Sequence, residues 1–182
     1  MKVILTIKKI SSYLRSLAVL SLAVIAMGLL PGCKIHYGFN GATIPPEAKT
    51  VAIQYFQTTA TLAPPTLSQA FTEALKDRMS SQTRLALVNR AGDLNFEGSI
   101  TGYSTNPIAI QSTDQAALNR LSISVNVKYT CAFDPKKNFE QTFTRYADYK
   151  STESLGAVEA KLIADINEQL TLDIFNRALN DW

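Results

Sequence analysis

Histidine occurs once in the 182 residues, at His36, and cysteine twice, at Cys33 and Cys131. That is too little to build a histidine-based acid–base pair or a Cys/His metal centre. The chain has no phosphate loop, no nucleophile elbow and no HExxH helix. Only 18% of residues are charged, and no acidic residue precedes Glu47. The formal charge of +3 therefore misleads. Lys2, Lys8, Lys9 and Arg15 supply it, and without residues 1–32 the chain has 14 basic against 15 acidic residues, net −1. No basic patch for neutralising nucleic-acid phosphates is expected. Neither repeats nor low-complexity segments occur. With 46% hydrophobic residues the composition is that of an ordinary globular domain, long enough to hold a real core.

What is present begins with an address. Four positive charges in residues 1–15 precede an apolar run, 16–30, interrupted by two serines, and then Pro31-Gly32-Cys33. A charged start, a short apolar stretch and a small residue before the cut define a secretory signal. The run is short for a spanning helix, which needs about 20 apolar residues. Leu30-Pro31-Gly32-Cys33 resembles the lipobox of bacterial lipoproteins, which implies acylation of Cys33 and cleavage before it. One acyl chain anchors marginally, whereas two or three hold for good. With Cys33 acylated, Cys131 has no partner for an intrachain disulfide. Lys34 follows the cysteine, so inner-membrane retention by an aspartate is not indicated. The expected place is the outer membrane, lipid-anchored and facing the periplasm. The expected division is a signal peptide at 1–32, a lipidated tether at 33–49 and one domain at 50–182.

The tether holds Gly38, Gly41, Pro45 and Pro46. A short β-type run covers 50–56. Thr66-Leu-Ser-Gln69 has the form of a capping box and opens a helix to about Gln82, with Leu67, Phe71, Ala74 and Leu75 at helical spacing. A short strand follows at 85–89. In 94–103, Leu94, Phe96, Gly98, Ile100 and Gly102 alternate with Asn95, Glu97, Ser99, Thr101 and Tyr103. Gly98 and Gly102, on the apolar side, would let a helix approach closely. Pro107 and Gln111–Gln115 read as a loop. In 121–131, Leu121, Ile123, Val125, Val127, Tyr129 and Cys131 share one face, opposite Ser122, Ser124, Asn126, Lys128 and Thr130. Residues 134–138 read as a hairpin connection and 139–149 as the last strand. A long helix over 153–180 carries Leu155, Val158, Leu162, Ile166, Leu170 and Ile174 in one stripe. Alternating strands bury one face each, and two amphipathic helices can cover that face. The predicted fold is α+β: a two-layer sandwich in β-α-β-β-β-α order. A mixed sheet of four to five strands has both helices packed on one side.

Catalytic candidates fail one by one. His36 lies in the tether. Cys131 lies on an apolar strand face, where a thiol is inert. Glu140 and Asp148 are eight strand residues apart, roughly 27 Å at about 3.3–3.4 Å per residue, too far to act on one glycosidic bond. The expectation is no enzyme, no cofactor and no metal. The outward sheet face is instead dense in hydroxyl and amide side chains, including Ser122, Ser124, Asn126, Thr142 and Thr144. Such groups can satisfy donors and acceptors across an interface without the desolvation cost of charges, as a polar barrel lumen would require.

Several segments carry a family resemblance: the lipobox with Tyr37–Pro46, then Lys49–Phe56, Pro65–Leu75, Gly92–Tyr103, Leu118–Leu121 and Asn138–Ala147. Their succession resembles the LptE family of lipopolysaccharide-assembly lipoproteins over essentially the whole mature chain. No single motif is diagnostic. The resemblance implies a lipoprotein that plugs the outer-membrane β-barrel LptD, assists its assembly and takes part in delivering lipopolysaccharide to the outer leaflet. That family binds lipid through basic loop residues. None can be matched here position by position, but Lys136 and Lys137 at a hairpin tip, and more loosely Arg84, Arg90 and Arg120, could meet phosphates. The other reading is a periplasm-facing lipoprotein that carries lipid or scaffolds the envelope without a barrel partner.

Overall fold

The computed structural model describes residues 44–108 and 118–180. Residues 1–43, with Cys33, His36 and most of the expected signal and tether, and the expected loop at 111–115 lie outside these. Within them the order is β1 (Thr50–Ile53), β2 (Gln57–Thr58), α1 (Leu67–Gln82), β3 (Ala86–Val88), β4 (Leu94–Ile108), β5 (Leu118–Cys131), a 3₁₀ turn (Pro135–Lys137), β6 (Phe139–Lys150) and α2 (Leu155–Leu179). The sheet runs β3-β1-β4-β5-β6, with β2 beside β4. β1 is parallel to β3 and β4, and the β4–β5–β6 meander is antiparallel. The mixed two-layer sandwich is as expected. Counting the two-residue β2, the sheet has six strands.

The hydrophobic pattern accounts for most of this. All six apolar positions of β5 from Leu121 to Cys131 are buried, and their polar neighbours are not. α2 buries Leu162, Ile163, Ile166, Leu170, Ile174, Phe175 and Leu179, and α1 buries Leu67, Phe71, Leu75 and Met79. Neither helix has a side-chain N-cap bond. A missing cap costs about 1 kcal/mol, whereas each fully buried large side chain contributes about 1.5–3 kcal/mol, so burial decides that the helices form. Thr66 does not use its capping-box geometry. It is already helical, at φ −75° and ψ −18°, because Leu67 N–H donates to the Pro64 carbonyl and tightens the chain one turn early.

Three local features depart from the sequence pattern. The run at 50–56 is not one strand. Ile53 pairs with Phe96 but Gln57 with Ser99, so one extra residue bulges out of the ladder. Phe56 N–H then donates to Thr72 Oγ1 of α1 (3.1 Å), and the Phe56 ring packs edge-on to Phe71 at 5.1 Å. β4 shifts register between Ile100 and Gly102, which reverses its alternation. Tyr103 is therefore buried, and Gly102 faces Ser124 on the polar side. Neither glycine receives a helix. A Cβ on Gly98 (φ +156°) would meet the Asn126 carbonyl oxygen at 2.0 Å and the Phe56 ring at 2.9 Å. Pro107 lies inside β4, opposite Asn119. There β4 extends past β1 and β2, so a missing N–H breaks no described ladder.

Cys131 is 3% exposed. Its thiol should resist iodoacetamide in the native protein and react once the protein is denatured. Fast native labelling would contradict the assigned strand faces.

Candidate functional site

The polar face of β4, β5 and β6 is built by register. Ser122 lies opposite Tyr146, Ser124 opposite Thr144, Asn126 opposite Thr142 and Lys128 opposite Glu140. On the other side Gly102 lies opposite Ser124 and Ser99 opposite Asn126. The candidate residues Ser122, Ser124, Asn126, Thr142 and Thr144 thus form one patch. Within it the Ser124 and Thr144 hydroxyls are 2.8 Å apart, and Asn126 Nδ2 donates to Thr142 Oγ1 at 3.5 Å. Gly102, with no side chain, leaves the patch low beside Ser124.

Ion pairs bracket the patch. At one end Arg120 makes two bonds to Asp148, 2.7 and 2.8 Å, and its guanidinium stacks 3.6 Å above the Tyr146 ring. The hydrogen bond from Arg120 holds the Asp148 carboxyl below its ordinary range. At the other end Lys128 meets Glu97 at 2.7 Å, which raises the Lys128 pKa. These charges are paired before any partner arrives, so the centre offers neutral donors and acceptors. The composition of the face is legible in the sequence. The pairs Arg120–Asp148 and Glu97–Lys128 are not, because each joins residues tens of positions apart.

The five basic candidates do not converge. Lys136 and Lys137 occupy the 3₁₀ turn between β5 and β6, where Asp134 accepts the Lys136 N–H. Arg84 precedes β3 at the same end of the sheet, since Ala86 pairs with Thr50, Val51 with Leu94, and Leu94 with Cys131. Lys49 also lies at this end. Arg90 lies in the β3–β4 connection. Arg120 is eleven strand residues from Cys131, about 36 Å away at ~3.3 Å per residue. Its guanidinium is occupied by Asp148, which favours a structural role there.

The end near Lys49 is fastened by Asp93. Its Oδ2 accepts from Lys49 N–H (2.9 Å), Thr50 N–H (2.9 Å) and Thr50 Oγ1 (2.8 Å), while Asp93 N–H donates back to Thr50 Oγ1. The bond from the Lys49 N–H, followed by those from Thr50, lowers the Asp93 pKa from 3.8. A depressed carboxylate stabilises the fold above its unfolded value, and that stability is lost as pH falls through the folded value. Asp93→Asn should therefore melt lower than wild type at pH 7. The gap should close on acidification below about pH 4. Melting temperatures measured from pH 2 to 7 check this; a gap independent of pH would contradict it.

Among solved structures, the chain is similar to a Xanthomonas campestris protein, at 12% identity over 76% of this chain and 90% of that one, with a TM-score of 0.50. It is also similar to a minor lipoprotein from Acinetobacter baumannii, at 15% identity over 73% and 97%, with a TM-score of 0.45. Lipoprotein B from Nitrosomonas europaea follows at 17% identity over 80% and 88%, with a TM-score of 0.44. At these identities the likeness concerns the fold alone. No curated protein matches the chain. The sequence profile of the lipopolysaccharide-assembly family LptE matches residues 48–178, from just before β1 almost to the end of α2. The chain belongs to the LptE family of lipopolysaccharide-assembly proteins.

Proposed function

We propose that this protein is an outer-membrane lipoprotein, acylated at Cys33, that plugs an LptD-type β-barrel and assists the barrel's assembly. In this role it takes part in inserting lipopolysaccharide into the outer leaflet. Family membership supports the assembly role. The observation that carries the docking mode is the hydroxyl and amide patch around Ser124 and Thr144, with Arg120–Asp148 and Lys128–Glu97 already paired at its ends. Such a surface enters a polar lumen without stripping water from unpaired charges. No helix among the described residues is long and apolar enough to cross a membrane. Under this reading Lys136, Lys137, Arg84 and Arg90 are the residues to probe for lipopolysaccharide phosphates.

Affinity purification from detergent-solubilised outer membrane tests the proposal. The expected result is one large β-barrel recovered in a 1:1 ratio (by the proposal, one plug per lumen). Recovery of the lipoprotein alone, or with lipid only, would favour a carrier or scaffold and overturn the plug. The mass of the purified protein checks the anchor, since Cys33→Ala should abolish the acyl mass.

A further inference from the structure

The sheet protects its edges unequally. β3, one edge, is three residues long. The free flank of β4 beyond β2 carries Pro107 and the register shift at Thr101. Short strands, proline and bulges are devices that discourage pairing with another chain. β6, the opposite edge, has none of them. It runs twelve residues, Phe139–Lys150, in unbroken register with β5, and no described strand pairs with its other side. It does carry charges, but Arg145 is bound to Asp173 of α2 and Asp148 to Arg120. Glu140 and Lys150 stand at its two ends as charges of opposite sign, Glu140 also facing Lys128 across the β5–β6 ladder.

We propose that β6 pairs antiparallel with β6 of a second copy of this chain. Sheet faces stay continuous only if polar-face residues meet polar-face residues, which restricts the register to every second position. Centred on Arg145, Glu140 of each copy lies opposite Lys150 of the other, Thr142 opposite Asp148, and Thr144 opposite Tyr146. On the core side Phe143 lies opposite Ala147. The two Arg145 residues meet at the symmetry axis, each neutralised by its own Asp173 at 2.5–2.8 Å. A shift of one step toward the start of β6 sets Glu140 against Asp148, a like-charge pair. A shift the other way leaves Glu140 without an opposite charge. Charge complementarity therefore selects the register and favours a second copy as the occupant.

Edge pairing covers less than the ~1,200 Å² of a standard stable interface, so the dimer is weak and depends on concentration. It suits a membrane-anchored protein that must shield a long edge and then give the partner up. The proposal does not depend on the docking role of the polar face, although Thr142 and Thr144 belong to both surfaces.

Sedimentation equilibrium of the mature lipoprotein in detergent, across a wide concentration range, tests it. Wild type should show reversible dimerisation. Glu140→Lys places two like-charge pairs in the dimer and should weaken it about tenfold. Glu140→Lys combined with Lys150→Glu should restore it. Both positions are solvent-exposed, and unchanged melting temperatures would exclude misfolding as the cause. A monomer at every concentration overturns the proposal. So does a dimer insensitive to Glu140→Lys, or a double exchange as weak as the single one. Pairing of the edge with a strand of the barrel instead would give a wild-type monomer together with Glu140→Lys loss of barrel recovery, and would equally overturn it.

Discussion

Gly98→Ala is expected to be the most damaging single methyl group that can be added to this protein. The new Cβ would lie 2.0 Å from the Asn126 carbonyl oxygen and 2.9 Å from the Phe56 ring. The first contact is backbone on the central β4–β5 ladder and cannot swing aside. The backbone itself, at φ +156°, is one that L side chains rarely adopt. Relief would require parting the two longest strands or expelling a buried phenylalanine. A loss of more than about 3 kcal/mol is expected, in the severe class of point mutations. For a chain of this size that lowers the melting temperature by about 10 °C or more. Gly156→Ala is the control. Nothing lies within 4 Å of its added Cβ, and it sits in the first turn of α2. Alanine there should be neutral or stabilising by up to about 1 kcal/mol. Calorimetry of the two variants gives opposite signs if the geometry is right. Equal melting temperatures would refute the close approach at Gly98.

The second large effect separates function from stability. Ser124→Lys with Thr142→Lys puts two cations into the patch proposed to dock in the barrel. In the free protein that face is wet, so the melting temperature should move by only a few degrees. In the docked state each cation would be buried without a partner. Breaking the pairing of a buried charge costs about 3–5 kcal/mol, so occupancy should fall at least a hundredfold. A barrel that needs its plug while closing would then be depleted first, and surface lipopolysaccharide second. The checks are the amount of properly folded barrel in cells and the melting temperature of the purified variant. Normal barrel levels with both lysines present would reject this docking surface, while leaving the family membership intact. A large fall in melting temperature would show that the face is part of the folded interior.

By itself the sequence determined what depends on local periodicity. The 3.6-residue stripe from Leu162 to Ile174 specifies α2, and the two-residue alternation from Leu121 to Cys131 specifies β5 and places its thiol inside. The same alternation assigns Ser122, Ser124 and Asn126 to the outer face, so the candidate patch is legible before any strand is paired. Tertiary structure decided whatever depends on a partner far along the chain. Thr101 interrupts the alternation of β4, sending Tyr103 inward and Gly102 outward, because β4 must stay in register with β5 on both sides of the offset. Phe56 leaves the sheet because Thr72, sixteen residues on, accepts its N–H and Phe71 receives its ring. Thr66 abandons its cap because the Pro64 turn delivers the chain already coiled. Arg120 could be read as a phosphate ligand until the β5–β6 register set Asp148 across from it. In each case a side chain's environment is chosen by strand pairing or packing over a long sequence separation. A period of two or 3.6 residues carries no information about that separation.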